Sequence, residues 1–285
     1  MIKPAELPLN GRGAVYHLDL LPEELADFII TVGDPARVQQ ISYYFDRVEV
    51  KRAHREFVTH TGYIGQRRIS VLSTGIGVPN IDIVMNELDA LVNMDLATRM
   101  PYEKIKPLTI VRLGTTGSLQ KNSRPGDVFV SHFSVGFDTL LDYYQSGFSP
   151  DTEALHKALT KHLAGECGSF YVVEADHALR QLFKNLGTAA ITATCGGFYG
   201  PQGRCLRLPL RFPHLLEKLT TFDFSNLKIL NVEMETAGIL GLGKLLGHRC
   251  ISVSVVLANR ITGEFASNVQ EHVEHLIVKA LQCIS

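Results

Sequence analysis

Several features that commonly reveal a protein's function are scarce in this sequence. Its formal net charge is only -1 at neutral pH, so it has no long-range field that would collect nucleic acid or an anionic membrane. Its five cysteines are odd in number and form no CxxC pair, which favours reduced thiols over a disulfide framework or a zinc site. No apolar run reaches membrane-spanning length. Any anion that binds must therefore be held by a few well-placed cations.

What is present is the balance of a globular protein, with 45% hydrophobic and 20% charged residues among 285. The first twelve residues lack the apolar stretch of a signal peptide, and we expect a cytoplasmic protein. Apolar, β-branched runs predict strands at 28–32, 57–64, 69–73, 108–113, 128–135, 170–173, 189–194, 227–232 and 250–258. Amphipathic stretches predict helices at 35–45, 81–92, 151–163, from an N-cap at Asp176 to about 186, and from 269 to 284. This alternation predicts one α/β domain over residues 1–285, a three-layer α/β/α fold around a mixed central sheet.

Two predicted turns after strands suit an oxyanion. In the first, Gly33 ends a strand, Pro35 starts a helix and Arg37 lies in its first turn, so backbone N–H groups and a guanidinium converge. An ordinary strand-to-helix turn has the same pattern. In the second, Arg112 precedes the turn Gly114-Thr115-Thr116-Gly117. A buried guanidinium needs a partner, either an internal carboxylate or a bound anion.

Two further segments have weaker patterns. The glycine-rich stretch from Ser73 to Asn80 lacks the lysine of a Walker loop, which makes a nucleoside triphosphate site unexpected. Arg55 beside Glu56 fits either a solvated ion pair of little energetic value or a further phosphate ligand.

Candidate sugar ligands follow the strand at 227–232, where Glu233, Met234 and Glu235 open a helix. The two carboxylates are stabilised by the helix dipole and can act simply as caps. Alternatively, they accept hydrogen bonds from paired sugar hydroxyls while the thioether packs on the ring.

Candidate base ligands follow the strand at 189–194. Phe198 is suited to stacking, Gln202 offers a donor and an acceptor, and Arg204 offers donors only. That set matches a uracil edge, although a surface loop with a turn at Gly200-Pro201 fits the same residues.

Taken in order, these segments resemble the nucleoside phosphorylase-I family (the PNP/UDP family), and most of all its uridine-cleaving members. The matching pieces span roughly residues 15 to 265 and are Tyr16-His17-Leu18, Gly33-Asp34-Pro35-Ala36-Arg37, His54-Arg55-Glu56-Phe57, Ser73-Thr74-Gly75-Ile76-Gly77, Arg112 to Gly117, Phe198-Tyr199 with Gln202 and Arg204, Glu233-Met234-Glu235, and Asn259-Arg260. Each piece is modest alone, and the ordered set is a strong signal.

The resemblance implies a role for each matching residue. Phosphate would be bound by Gly33, Arg37, Arg55, Arg112 and Thr115. Ribose would be bound by His17, Thr115, Met234 and Glu235, and the base by Phe198, Gln202, Arg204 and Glu233. Arg260 would lie near O4 of the base, and the residues closest to the chemistry would be Arg112, Glu235 and Arg260. Arg55 would reach the phosphate, and His17 the ribose 5′-hydroxyl, in the site of a neighbouring subunit.

The resemblance also implies a reaction and its partners. A nucleoside and inorganic phosphate would give a free base and a pentose 1-phosphate, without a cofactor and without nucleic acid or membrane as a partner. The sequence leaves open whether 2′-deoxyuridine and thymidine are cleaved besides uridine. The chain would act as a homodimer or a homohexamer. Some members bind potassium at positions matching Glu56, Ile76 and Asn80, and here asparagine stands where serine is usual.

Departures from the family concentrate on the base pocket. Gly200 and Pro201 are reversed relative to a common bacterial form, the stretch 205–213 differs from the usual continuation, and the loop 99–107 is longer. Three alternatives therefore stay open: a purine nucleoside phosphorylase, a nucleosidase and a non-catalytic nucleoside-binding protein. The purine enzyme is disfavoured because Asn259 stands where its relatives carry the acid that protonates N7 of the base. The nucleosidase is disfavoured because it uses water in place of phosphate and would not need three arginines around an anion.

Overall fold

The computed structural model describes residues 2–145, 147 and 149–284. Its helices within these residues are α1 (Pro35–Ser42), α2 (Val78–Asn93), α3 (Pro150–Leu163), α4 (His177–Leu182), α5 (Leu215–Thr221), α6 (Thr236–Leu245) and α7 (Val269–Ile284). Its strands are β1 (Phe28–Val32), β2 (Arg47–His54), β3 (Phe57–Ile64), β4 (Arg67–Ser73), β5 (Met94–Asp95), β6 (Met100–Pro101), β7 (Thr109–Ser118), β8 (Val128–Phe137), β9 (Tyr171–Glu174), β10 (Thr188–Cys195), β11 (Asp223–Phe224), β12 (Leu227–Glu233) and β13 (Arg249–Asn259). Across this described part of the chain, no helix is long and apolar enough to span a bilayer.

The described residues form two compact units. The first comprises residues 2–112 with Leu242–Arg249, and the second comprises Leu113–Gly241 with Cys250–Ile284. Strand β7 begins in the first unit and ends in the second. The expectation of a single domain over 1–285 stays a prediction.

In the first unit, β1 lies between two parallel neighbours. Val32 of β1 pairs with Ser73 of β4, and Thr31 pairs with Arg112 at the start of β7. Strand β3 then pairs with β4 and β2 pairs with β3, both antiparallel. Because Arg112 pairs with Thr31, one residue before the end of β1, and the last residue of β1 pairs with the last residue of β4, the segments that follow β1 and β4 start close to Arg112.

In the second unit, β10 lies between β8 and β12, parallel to both. Cys195 pairs with Phe137 of β8, and Thr194 pairs with Glu233 of β12. Antiparallel pairings add β9 and β13 to β8, and add β11 and the end of β7 to β12. Helices α3 and α5 pack on this sheet through a buried cluster that includes Leu159, Leu219 and Ile191. The residues that follow β8, β10 and β12 therefore emerge side by side.

The predicted α/β class with a mixed sheet is confirmed. Strands β1 and β3 have the predicted bounds, and α7 begins and ends where the apolar periodicity placed it. Asp176 is the N-cap of α4, since its Oδ1 accepts from the Leu179 N–H at 3.0 Å. All five cysteines are free thiols, of which Cys195 and Cys250 are buried and Cys205 is exposed, and burial raises the pKa of the Cys250 thiol.

The structure differs from the sequence predictions within β7, and it contains elements that were not predicted. Gly114 to Gly117 were expected to form a turn after the strand that contains Arg112, but they lie inside β7, which continues to Ser118 because its last two residues pair with β12. Strand β2 was not predicted, because its side chains are mostly polar and exposed. Helix α5 was also not predicted; it has only seven residues.

Candidate active site

The phosphate candidates Gly33 and Arg112 lie at one sheet edge of the first unit. Gly33 directly follows β1, and a Cβ at this position would come within 3.5 Å of the Gly75 carbonyl oxygen. Arg112 lies on the neighbouring strand with only 5% of its surface exposed. A cation in such surroundings interacts with an anion more strongly than one in water.

Arg37 starts from the first turn of α1, as predicted. The Asp34 carboxylate caps this helix by accepting from the Ala36 N–H at 2.9 Å, and the Arg37 N–H donates to the Asp34 carbonyl oxygen at 3.0 Å. Pro35 at the first helical position fits this geometry because it has no N–H to satisfy. Arg37 is therefore carried on a rigid turn that begins two residues after β1.

Arg55 occupies the tight connection between β2 and β3 in an unusual backbone conformation. Its φ is 55°, in the left-handed region, which costs a non-glycine residue on the order of 1–3 kcal/mol. The side chain is exposed, and its Cζ lies 5.9 Å from the centroid of the Tyr16 ring. Strain retained at an exposed arginine favours a functional over a purely structural role.

His17 lies in the same cluster as Arg55. Its Nδ1 is 2.6 Å from Glu87 Oε1, and its carbonyl oxygen accepts from His54 Nδ1 at 3.0 Å. The Tyr16 ring contacts both the His17 and His54 rings edge to face. The two residues expected to serve a neighbouring subunit are thus carried on one surface of the first unit.

The potassium candidates are also neighbours in the first unit. A Cβ at Gly75 would lie 2.8 Å from Glu56 Cγ and 2.5 Å from Asn80 Nδ2, and Ile76 follows directly. Gly75 has a φ of 67°, so the turn requires glycine both for its conformation and for this close approach.

The sugar candidates of the second unit lie where β12 becomes α6. The Glu233 carboxylate accepts from the Glu235 N–H at 2.9 Å and from the Thr236 N–H at 3.0 Å. It also accepts from Thr194 Oγ1 at 2.5 Å. Glu233 thus caps α6, which is the first of the two alternatives given for these carboxylates. Its role toward the base stays a prediction.

The turn held by Glu233 presents Met234 and Glu235, of which Glu235 is 5% exposed. Thr115 lies on β7 next to Thr116. The Thr116 hydroxyl donates to the Val232 carbonyl oxygen at 2.8 Å. Thr116 Oγ1 in turn accepts from Asn231 Nδ2 at 2.9 Å. These hydrogen bonds bring Thr115 to the carboxyl end of β12, close to the sugar candidates.

The base candidates form one connected cluster after β10. Arg204 Cζ lies 3.7 Å from the centroid of the Phe198 ring. Arg204 Nη1 donates to the Phe198 carbonyl oxygen at 2.6 Å and to Gln202 Oε1 at 2.5 Å. Arg260 Nη1 donates to the Gln202 carbonyl oxygen at 3.0 Å. The structure thus brings three of the residues expected to bind the base, Phe198, Gln202 and Arg204, together with Arg260, which was expected near O4 of the base.

Electrostatics in this cluster favour an electron-rich ligand. Burial, with the nearby Arg260 charge, lowers the pKa of Arg204 to about 10. Burial also lowers the pKa of Arg260. Both guanidinium groups still carry their charge at neutral pH, so two partly desolvated cations lie next to Gln202. Negative charge that develops on carbonyl groups beside them would be stabilised.

Asn259 proves to be a structural residue. Its Nδ2 donates to the Gln120 and Ser123 carbonyl oxygens at 3.0 and 2.7 Å. Its Oδ1 accepts from the Ile261 and Thr262 N–H groups at 2.9 and 3.0 Å. Both donors and both acceptor positions are used within the chain, which leaves this amide no capacity to serve a base.

Sequence reasoning missed the buried Glu87 and the half-buried Asp138. Glu87 lies on α2 with its side chain bound to residues 17 and 18, and the available signal was an acid among buried apolar positions of a helix. Asp138 accepts from the Tyr171 hydroxyl at 3.0 Å, and burial raises the pKa of this aspartate. Gly136 makes room for the Tyr171 ring, since a Cβ there would lie 2.2 Å from its Cζ.

The comparison with family models decides the identity of the fold. The model of the phosphorylase superfamily matches residues 27–285. The chain belongs to this superfamily.

Individual superfamily relatives match along nearly the whole chain. The uridine phosphorylase of Thermococcus kodakarensis is 32% identical over 261 residues, covering 92% of this chain and 83% of the relative. The uridine phosphorylase of Escherichia coli is 29% identical, with 95% and 98% covered. Among solved structures, a Trypanosoma brucei nucleoside phosphorylase described as showing uridine phosphorylase activity superposes with a TM-score of 0.86 at 28% identity, covering 97% of this chain and 99% of that one.

Proposed function

We propose that this protein is a pentosyltransferase that cleaves uridine with inorganic phosphate to give uracil and ribose 1-phosphate. The observation that carries the proposal is the connected cluster of Phe198, Gln202, Arg204 and Arg260. Superfamily relatives named uridine phosphorylases, matched over most of their length, support the same reaction. The substrates are a nucleoside and phosphate, and the reaction requires no cofactor.

The hydrogen bonds of Gln202 support uracil as the base. Its Oε1 accepts from Arg204 and has a second lone pair for N3–H of uracil, while its Nε2 can donate to a carbonyl. Arg204 and Arg260 supply only donors. Cytosine presents an amine in place of O4, and this amine would meet a donor. Leaving such a pair unmatched costs roughly 1–3 kcal/mol, so uridine is preferred over cytidine by about tenfold or more.

The chemistry assigned to the remaining residues follows from their charge. Phosphate is bound by Gly33, Arg37, Arg55, Arg112 and Thr115. A phosphate oxygen attacks C1′ of the ribose, and the bond from C1′ to N1 breaks with its electron pair passing to the base. Glu235 and Met234 hold the sugar as it acquires oxocarbenium character. The departing base carries negative charge on its carbonyl oxygens, which donors around Gln202 stabilise before the base is protonated.

Assembly and ion binding belong to the proposal as well. The cluster of the half-buried His17 with the exposed Tyr16 and Arg55 supports a homodimer, or a hexamer built from dimers, in which these side chains act on a second copy. The approach of Glu56 and Asn80 at Gly75 supports a potassium site that also uses the Ile76 carbonyl oxygen. Neither the second copy nor the potassium ion supplies electrons or protons to the proposed reaction.

The test is base release from uridine, 2′-deoxyuridine, thymidine, cytidine, inosine and adenosine, each with and without phosphate. We expect uracil and ribose 1-phosphate from uridine only when phosphate is present, and slow reaction of cytidine and the purine nucleosides. Equal release after rigorous removal of phosphate would indicate a nucleosidase. Inosine cleaved as well as uridine would overturn the pyrimidine assignment, and binding without cleavage of any nucleoside would indicate a binding protein.

A further inference from the structure

Glu87 is a carboxylate on an otherwise apolar helix face. Helix α2 buries Val84, Leu88 and Leu91 on the face that also contains Glu87, and only 6% of Glu87 is exposed. An ionised carboxylate placed among apolar side chains is costly unless it is paired and hydrogen-bonded. The identity of its partners therefore indicates why the acid is there.

The hydrogen bonds that bind Glu87 come from two consecutive residues near the start of the chain. Glu87 Oε1 lies 3.1 Å from the His17 N–H nitrogen and 2.6 Å from His17 Nδ1. Glu87 Oε2 accepts from the Leu18 N–H at 2.9 Å and lies 3.1 Å from the His17 nitrogen. One carboxylate thus fixes both the backbone and the ring of His17.

This arrangement determines which ring nitrogen of His17 carries a proton. A carboxylate can only accept, so Nδ1 must be the protonated nitrogen that donates to Oε1. In the neutral ring, Nε2 then has the lone pair and accepts a hydrogen bond. A hydroxyl group, which can donate, is a suitable ligand for Nε2.

The ring is also held from its other sides. His54 Nδ1 donates to the His17 carbonyl oxygen at 3.0 Å, and the Phe57 and Tyr16 rings contact the His17 ring edge to face. The side chain of His17 nevertheless remains 25% exposed. A histidine fixed at backbone and ring but open to a ligand is preorganised for recognition rather than buried for stability.

We infer that Glu87 is a positioning residue that holds His17 in the tautomer and orientation needed to accept a hydrogen bond from the 5′-hydroxyl of the nucleoside. The inference rests on the proposed function and on the ribose role of His17. What it adds to that role is Glu87, through which the preference for nucleosides with a free 5′-hydroxyl over analogues that lack this donor depends on a residue of α2.

The test compares uridine with 5′-deoxyuridine in the wild-type protein and in Glu87→Gln. The glutamine keeps the size of the side chain but removes its charge and turns an amide donor toward N–H groups. We expect the uridine to 5′-deoxyuridine ratio of kcat/KM to fall about tenfold, the value of one charged hydrogen bond, with most of the loss on uridine. Where turnover of 5′-deoxyuridine is slow, the ratio of the two dissociation constants, measured by calorimetry in the absence of phosphate so that uridine is not cleaved, gives the same comparison.

Glu24 offers a matched control in the same unit. It is also buried, and it accepts from Arg12 Nη2 at 2.6 Å and from the Leu21 N–H at 2.9 Å. Glu24→Gln therefore loosens the same N-terminal segment without touching His17, and it should leave the substrate ratio unchanged. In a His17→Ala background, Glu87→Gln should change the ratio no further.

Two results would overturn the inference. One is an equal loss on both nucleosides in Glu87→Gln, which would indicate a purely structural carboxylate. The other is a ratio that falls as far in Glu24→Gln as in Glu87→Gln. Failure of the wild-type protein to release uracil would instead contradict the proposed function, and the dissociation constants of the two nucleosides would still decide the role of Glu87.

Discussion

Glu235 illustrates how a side chain is oriented by its own backbone. Its N–H is held by Glu233 at 2.9 Å, and its carbonyl oxygen accepts from the Ile239 N–H within α6. The turn between β12 and α6 is therefore fixed before any sugar binds. This preorganisation makes the loss of the Glu235 charge measurable as a loss of sugar recognition.

We expect Glu235→Gln to weaken ribosides more than 2′-deoxyribosides. A carboxylate accepts from both vicinal hydroxyls, whereas the amide retains only one oxygen. A charged hydrogen bond contributes about 1.5–3 kcal/mol, so kcat/KM for uridine should fall roughly tenfold or more relative to 2′-deoxyuridine. Glu217→Gln, at an exposed position of α5, serves as control, and an unchanged ratio in Glu235→Gln would remove the residue from the sugar site.

Asn259 gives a second prediction at this scale. Replacing its Nδ2 donor with an oxygen in Asn259→Asp opposes the Gln120 and Ser123 carbonyl oxygens. We expect the free energy of unfolding in urea to fall by about 1–3 kcal/mol, with no gain in inosine cleavage. An inosine rate that rises while stability is retained would show that the side chain turns to the base after all.

The connection between β2 and β3 contains backbone strain at one residue. Arg55 has a positive φ, a conformation that asparagine adopts more readily than arginine. Arginine at this position therefore costs the hairpin stability that asparagine would not cost.

Arg55→Asn should accordingly separate stability from activity. We expect the free energy of unfolding to rise by up to about 1 kcal/mol because the backbone strain is relieved. The KM for phosphate should rise severalfold as the cation is lost. Arg55→Lys keeps the strain and the charge, so it should leave stability unchanged and affect phosphate less. An Asn variant with unaltered phosphate KM would assign Arg55 to the solvated pair with Glu56.

Elements buried on both sides were predictable from sequence, and elements defined by pairing were not. Strand β1 is apolar and β-branched, so its bounds could be read directly. Strand β7 extends past Gly114 because distant residues of β12 pair with its end, which no local pattern indicates. The same holds for the site: the residue types in Gln202 and Arg204 were informative, whereas the contact between His17 and Glu87 joins residues 70 positions apart.

At the scale of the whole molecule, the proposed action of His17 and Arg55 on a second copy requires two chains to cooperate. We expect a mixture of Arg55→Ala and Glu235→Ala chains, each impaired alone when assayed at low phosphate, to recover activity after subunit exchange. In a mixed dimer, one site receives Arg55 from one chain and Glu235 from the other, while the second site lacks both. Absence of recovery despite demonstrated exchange, followed by native mass spectrometry, would mean that each site is complete within one chain.

The loop after β10 is held largely by its main chain. Arg204 binds the carbonyl oxygen of Phe198, and Arg260 binds that of Gln202. Carbonyl groups are the same in all amino acids, so the identity of residue 202 can change while this support persists. Substitutions at position 202 can therefore change which nucleobase is bound while these two hydrogen bonds keep the loop in place. The base preference of this chain can then change through single substitutions.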